Sequence, residues 1–200
     1  MPLIKNRQAQ FSGPDFANVS KFSITYKDVF NMDYLYTLLF EYLVEEGFVN
    51  RDDEQDFPEI SYLQREHPQF GKELWIRWRL KRDESKMFRH YLDIDIHVLG
   101  LKDVEVLSQG KKIKANKGEL EIAVSVTLAI DPDRDWEKNA FLKPLKHILI
   151  HRMLVSRIDT QKLKCVILGG DIQTVIKSYL KIPTYGAEPE GRAFWAKREG

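Results

Sequence analysis

Asp93, Asp95 and His97 fall at alternate positions in the run Tyr91-Leu-Asp-Ile-Asp-Ile-His97. On a β-strand, residues two apart share a face, so these three line up. Carboxylates and imidazoles are metal ligands and acid–base groups. Their spacing along a strand is about 6.6–7 Å, which resists convergence of all three on one ion. The alternative is charge pairing across strands. If residues 73–82 and 87–99 form a hairpin, Arg77 and Arg79 face these aspartates, and each such pair contributes about 0.2–1 kcal/mol. His147 and His151 are one helical turn apart. A zinc protease would need His-Glu-x-x-His, and position 148 is Ile, so the pair reads as exposed or interfacial. Cys165, in Leu-Lys-Cys-Val-Ile-Leu, reads as a buried, inert thiol. As the single cysteine it excludes an internal disulfide framework and a multi-cysteine zinc site. Gly169-Gly170 lacks the surrounding pattern of a phosphate loop, and Asp171 beside it would repel an anion. No nucleophile elbow or kinase signature is present. The expectation is no catalytic constellation, no metal and no cofactor.

A second group points to binding. Trp75, Arg77, Arg79, Arg89 and Tyr91 are predicted on one polar sheet face. Trp, Tyr and Arg dominate protein interface hot spots, and they also stack bases and pair phosphates of single-stranded nucleic acid. The strands lack the aromatic motifs of RNA-recognition domains. Lys111, Lys112, Lys114 and Lys117 form a basic hairpin tip suited to phosphate, to an acidic partner or simply to solvent. The aromatic–Arg face meets another protein, a nucleic acid, or the chain's own tail at Phe194-Trp195.

The elements that must carry these residues are legible from periodicity. Lys21–Tyr26 alternates as a short strand. Asn31 caps a helix over Met32–Glu46, apolar at Leu35, Leu38, Leu39, Tyr42 and Leu43, with Gly47 and Phe48 as its stop. Arg51–Pro58 is a charged loop, and Ile60–Gln64 a short edge strand. Glu73–Arg82 and Met87–Leu99 are long strands around a turn at Asp83–Lys86. Val104–Leu107 and Lys112–Ala115 make a small hairpin, Asn116-Lys117-Gly118 another turn, and Glu119–Ile130 a third long strand. Residues 131–135 break the pattern. Trp136–Ile158 reads helical, starting or kinking near Pro144. A final helix begins at Asp171 after the Gly169-Gly170 break and ends before Pro183. The expected architecture is α+β: an antiparallel meander with helices from both chain ends packed on one face. Residues 1–20 read as an arm, 21–183 as a single domain, and 184–200 as a mobile tail.

Composition bounds the partners. The chain has 200 residues, 43% hydrophobic and 30% charged, which suits one globular domain with a sizeable core. Lys plus Arg total 31 against 30 Asp plus Glu, a balance that disfavours a dedicated DNA binder. The polar start and the absence of a bilayer-length apolar run predict no membrane and a cytoplasmic or, for a viral subunit, virion location.

Leu99-Gly-Leu-Lys-Asp-Val-Glu-Val106, Gly110-Lys-Lys-Ile-Lys114, Asn116-Lys-Gly-Glu-Leu-Glu-Ile122 and Trp136-Glu-Lys-Asn-Ala-Phe-Leu-Lys143 resemble segments of archaeal and archaeal-virus proteins with no established activity. The resemblance covers about residues 88–158 and brings no site residues. It implies a non-enzymatic structural or accessory role. The order of elements is also similar to helix-grip ligand-binding folds. The expected function is therefore protein binding or self-assembly, with itself as a possible partner. The alternatives are single-stranded nucleic-acid binding and small-ligand binding between sheet and helix, engaging Asp93, Asp95 or His97.

Overall fold

The computed structural model describes residues 16–52, 57–69, 71–108, 111–138, 144 and 148–181. These form a six-stranded antiparallel sheet in the order β1-β6-β5-β4-β2, with β3 also on β4. The strands are β1 (Phe16–Phe30), β2 (Val49–Asn50), β3 (Glu59–His67), β4 (Gly71–Ser85), β5 (Phe88–Ser108) and β6 (Lys111–Ile130). Helix α1 (Met32–Glu45) follows β1; α2 (Asp135–Lys138), a π-helical turn (Leu149–Met153) and the long α3 (Val155–Tyr179) follow β6. β2 and β3 lie end to end on the far edge of β4, β2 against Leu80 and Lys81, β3 against the residues up to Trp78.

Alternation sorts the long strands as the sequence predicts. Leu74, Ile76, Trp78 and Leu80 of β4, Leu92, Ile94, Ile96 and Val98 of β5, and Leu120 to Leu128 of β6 are buried on one face. Both long helices cover that face. The Tyr36 ring of α1 meets Trp78 edge-on at 4.9 Å. On α3, Ile158, Cys165, Leu168, Ile172 and Ile176 are buried. The helices also meet each other, where the Tyr179 hydroxyl donates to the Asn31 carbonyl and accepts from the Asn31 amide, both at 2.8 Å. The α+β architecture with helices from both ends on one face is therefore the observed one.

The caps of α1 also match. Asn31 accepts from the Tyr34 amide at 3.0 Å, and Gly47 and Phe48 donate back to Val44 and Leu43. Elsewhere local signals mislead. β1 begins at Phe16, inside the stretch read as an arm, because β6 offers a full-length partner from Asn116 to Ala129. Asp83–Ser85 belongs to β4, and the turn is Lys86-Met87, with the Ser85 hydroxyl accepting from the Met87 and Phe88 amides. Asn116-Lys117-Gly118 is not a turn but part of β6, which is continuous with the hairpin. The irregularity lies opposite, in β5 between Leu99 and Lys102. It brings the Leu99 carbonyl to 3.0 Å from where a Cβ on residue 118 would sit, so the glycine serves close approach rather than a bend.

Gly169-Gly170 does not end a helix either. α3 runs through both, and a Cβ at 169 would meet the Ser20 hydroxyl of β1 at 2.4 Å. Asp171 thus sits mid-helix and caps nothing. The single helix predicted over 136–158 is interrupted as well. The Asp131 carboxylate accepts from the Asp135 and Trp136 amides and starts the short α2, while Leu154 leaves helical geometry before α3. The tail predicted at 184–200, with Phe194-Trp195, lies outside the described residues.

Candidate functional site

The outer face of β4 and β5 is built in rows. Register places Trp75 opposite His97, Arg77 opposite Asp95, Arg79 opposite Asp93, Lys81 opposite Tyr91 and Asp83 opposite Arg89. β3 extends the first two rows with Leu63 beside Trp75 and Ser61 beside Arg77. Trp75, Arg77, Arg79, Arg89 and Tyr91 therefore share one face, as predicted, but not one patch. Trp75 and the row of Arg89 are eight strand positions apart, about 27 Å.

In the middle of the face the charges are paired. Arg79, only 9% exposed, donates to Asp95 at 2.6 Å and lies 3.8 Å from Asp93. Its other nitrogen donates to the Trp78 and Ile94 carbonyls. Arg51, from the turn after β2, donates to the same Asp93 oxygen, Oδ1, that faces Arg79, and lies 4.8 Å over the Tyr91 ring. At the far end Arg89 pairs with Asp83 and, at 3.2 Å, with Asp133. Arg77 forms no ion pair with another described residue. The reading of Asp93 and Asp95 as cross-strand partners of arginine is the arrangement found, with Arg79 reaching diagonally to Asp95. Among the described residues no three His, Cys, Asp or Glu side chains gather as metal ligands do.

The other end differs. The rings of Trp75 and His97 stack at 5.1 Å, tilted by 15°. The guanidinium of Arg65 lies 5.2 Å over the Trp75 ring. His97 Nε2 is 3.0 Å from Glu73. Leu63 on β3 and Leu99 on β5 are exposed beside this stack. The result is a small amphipathic cluster with ordered aromatic rings and two uncovered aliphatic side chains. Sequence reading missed Leu63, Arg65, Leu99 and Arg51. Alternation across β3 pointed to the first two; Arg51 comes from a loop, which no strand periodicity reaches.

Asp93, Asp95 and His97 face away from both helices. These three residues therefore do not line the space between sheet and helix in which a small-ligand site is expected. A groove of about 390 Å³ does lie between the start of α1 and the sheet, lined by Tyr36, Tyr62, Lys72 and Asp103 among others.

The basic hairpin is less basic than its sequence suggests. Lys114 stands opposite Glu105, Lys112 pairs with Glu105 at 3.3 Å, and Lys117 stands opposite Lys102. Strand alternation puts Lys112 and Lys114 on one face and Lys117 on the other. The side chains of Lys111 and His151 lie outside the described residues, as does His147, and His151 belongs to the π-helical turn rather than an α-helix.

A polar cluster the sequence reading passed over lies under α3. His90 is fully buried, its Nε2 3.1 Å from Gln161 Oε1 and its Nδ1 3.5 Å from the Arg82 guanidinium. Arg82 can only donate, so Nδ1 accepts and Nε2 carries the proton given to Gln161. Arg82 also holds Glu84 at 2.9 Å and Glu46 at 3.0 Å. Lys164 donates to Glu84 at 2.8 Å. Burial, then the Arg82 charge, hold the His90 pKa below its ordinary value. The Lys164 hydrogen bond keeps the Glu84 carboxyl low, and burial pushes the Cys165 thiol up to about 12. That thiol is inert at neutral pH. The same period of two that turns Leu92 inward turns His90 and Arg82 inward, so the signal was present in the sequence.

No helix among the described residues is long and apolar enough to cross a membrane. No protein-family model matches the chain, and no curated protein matches it.

Proposed function

We propose that this chain is a non-enzymatic protein-binding module whose contact surface is the outer sheet face, centred on Trp75. The observation carrying this reading is the Trp75–His97 stack, clamped by Arg65 and Glu73 and flanked by exposed Leu63 and Leu99. Aromatic and aliphatic groups ordered before contact lose little side-chain entropy when a partner covers them. The paired charges around the stack form a polar rim of the kind that surrounds interface hot spots.

Nucleic acid suits this face less well. Glu73, Asp83, Asp93 and Asp95 are interleaved with the arginines, so a phosphate chain laid along it meets carboxylates as well as cations.

The test is quantitative affinity capture with the wild type and with Trp75→Ala. Loss of a specific bound protein by roughly tenfold or more in the variant is expected, since a central aromatic hot spot is worth at least 2 kcal/mol. Identical capture by the two proteins overturns the reading. A salt-sensitive mobility shift of single-stranded nucleic acid that Trp75→Ala abolishes would replace it with the nucleic-acid alternative.

A further inference from the structure

Helix α3 carries a second, separate surface. Its inward side is filled by Ile158, Cys165, Leu168, Ile172 and Ile176. Its opposite side is also apolar: Leu163, Val166 and Ile167 are 59%, 49% and 54% exposed. Gly170 follows on the same side, and a Cβ there would find nothing within 4 Å. A soluble helix normally presents charges on that stripe.

We infer that this stripe is where a second copy of the chain docks, with the two α3 helices antiparallel about a two-fold axis at the level of Leu168. The charges flanking the stripe select this occupant. At 3.6 residues per turn, Asp159 and Lys177 fall in line with the stripe on its Val166 side, one beyond each end, and Asp171 flanks the other side; Asp159 also lies 3.7 Å from Lys162 along the helix. In an antiparallel two-fold pair, each border faces the same border of the partner, read in reverse. With the axis at Leu168, Asp159 meets the partner's Lys177, a contact that occurs twice. Val166 then faces the bare backbone of the partner's Gly170, large against small. A parallel pair would set one border against the other and lose these matches. Asp159 is exposed and Lys177 partly so, whereas the Lys164 ammonium is turned onto Glu84. The arrangement is isologous and closes at two copies.

This inference deepens the protein-binding reading, on which it rests for its class of function, but it uses a different face. The test is light scattering with size-exclusion chromatography at about 100 µM, where a dimer of micromolar affinity is well populated. The expected mass is twice 23.5 kDa. Ile167→Glu should return it to the monomer with an unchanged thermal melt. Asp159→Lys alone should weaken dimerisation roughly tenfold, because the mismatch occurs twice per dimer. Adding Lys177→Asp to it should restore the dimer. A wild-type monomer, or a dimer indifferent to Ile167→Glu, overturns the inference. A dimer lost in Trp75→Ala but kept in Ile167→Glu overturns it while leaving the sheet-face reading standing; the reverse pattern supports the α3 pairing and removes self-association from the sheet face.

Discussion

On the outer face of β4 and β5, Arg79 holds Asp95, whose carboxylate is half exposed to water. On the inner face of the same strands, Arg82 holds Glu84 beneath α3, beside a His90 that sees no solvent at all. The residue types are alike, and the geometries are alike. What differs is what happens when a partner is taken away. An outer carboxylate that loses its arginine regains water, whereas an inner group is left unpaired in a desolvated site, at a cost that can exceed the interaction itself. The half-exposed carboxylates of the outer face can therefore change at less cost than the groups around His90, whereas Arg79 beneath them, 9% exposed, is as dependent on its partners as the inner cluster is.

The sharpest way to break this contrast is to remove the aromatic anchor from each face in turn. Trp78 is wholly buried, and Trp78→Ala should cost about 3–5 kcal/mol in denaturant unfolding. Trp75→Ala, half-buried on the other face, should cost well under that. Equal losses would show that the outer face is structural too.

A smaller effect separates the two sets of ionisable groups by pH. His90 has a depressed pKa in the folded protein, so its contribution to stability is present above the ordinary value of 6.5 and is lost as pH falls below it. Glu84, also depressed, adds a second loss below 4.5. Melting temperature should fall with acid in those two windows, and His90→Gln should flatten the first. A profile unchanged by that substitution would remove His90 as the acid-sensitive group.

The smallest effect lies at the rim. Lys27 and Glu119 pair at 2.9 Å in solvent, and Lys27→Ala should change unfolding stability by less than about 1 kcal/mol.

Much of this was legible in the sequence. Alternation in residues 73–82, 87–99 and 119–130 placed three central strands and their faces, and the Asn31 and Gly47 signals bounded α1. The misreadings share a cause. Gly118 and Gly169 look like punctuation locally, but each marks a spot where another part of the chain presses in: the Leu99 carbonyl on one, the Ser20 hydroxyl on the other. Only the tertiary fold supplies that neighbour. The site was legible in the same measure. Residue types and faces came from periodicity, and the arginine–aspartate pairing followed from the hairpin. The clamp on Trp75 did not, because Arg65 lies just past the predicted edge strand Ile60–Gln64 and its place over the ring depends on the register of the β3–β4 hairpin. His90 was recoverable from alternation alone, but a polar residue at an inward position carries no hydrophobic signal to draw attention to it.

The pairing of β1 with β6 has a consequence for the order of events in folding. β3, β4, β5 and β6 follow one another along the chain, so each can zip onto its predecessor through a short loop. β1 has no such neighbour: Asn18 finds Ser125 across a separation of 107 residues. The strand that leaves the ribosome before all the others must wait, unpaired along its whole length, until the last one has been made. Its docking, with α3 seated against it at Gly169, closes the sheet through a pairing of long sequence separation, the kind of contact that forms slowly.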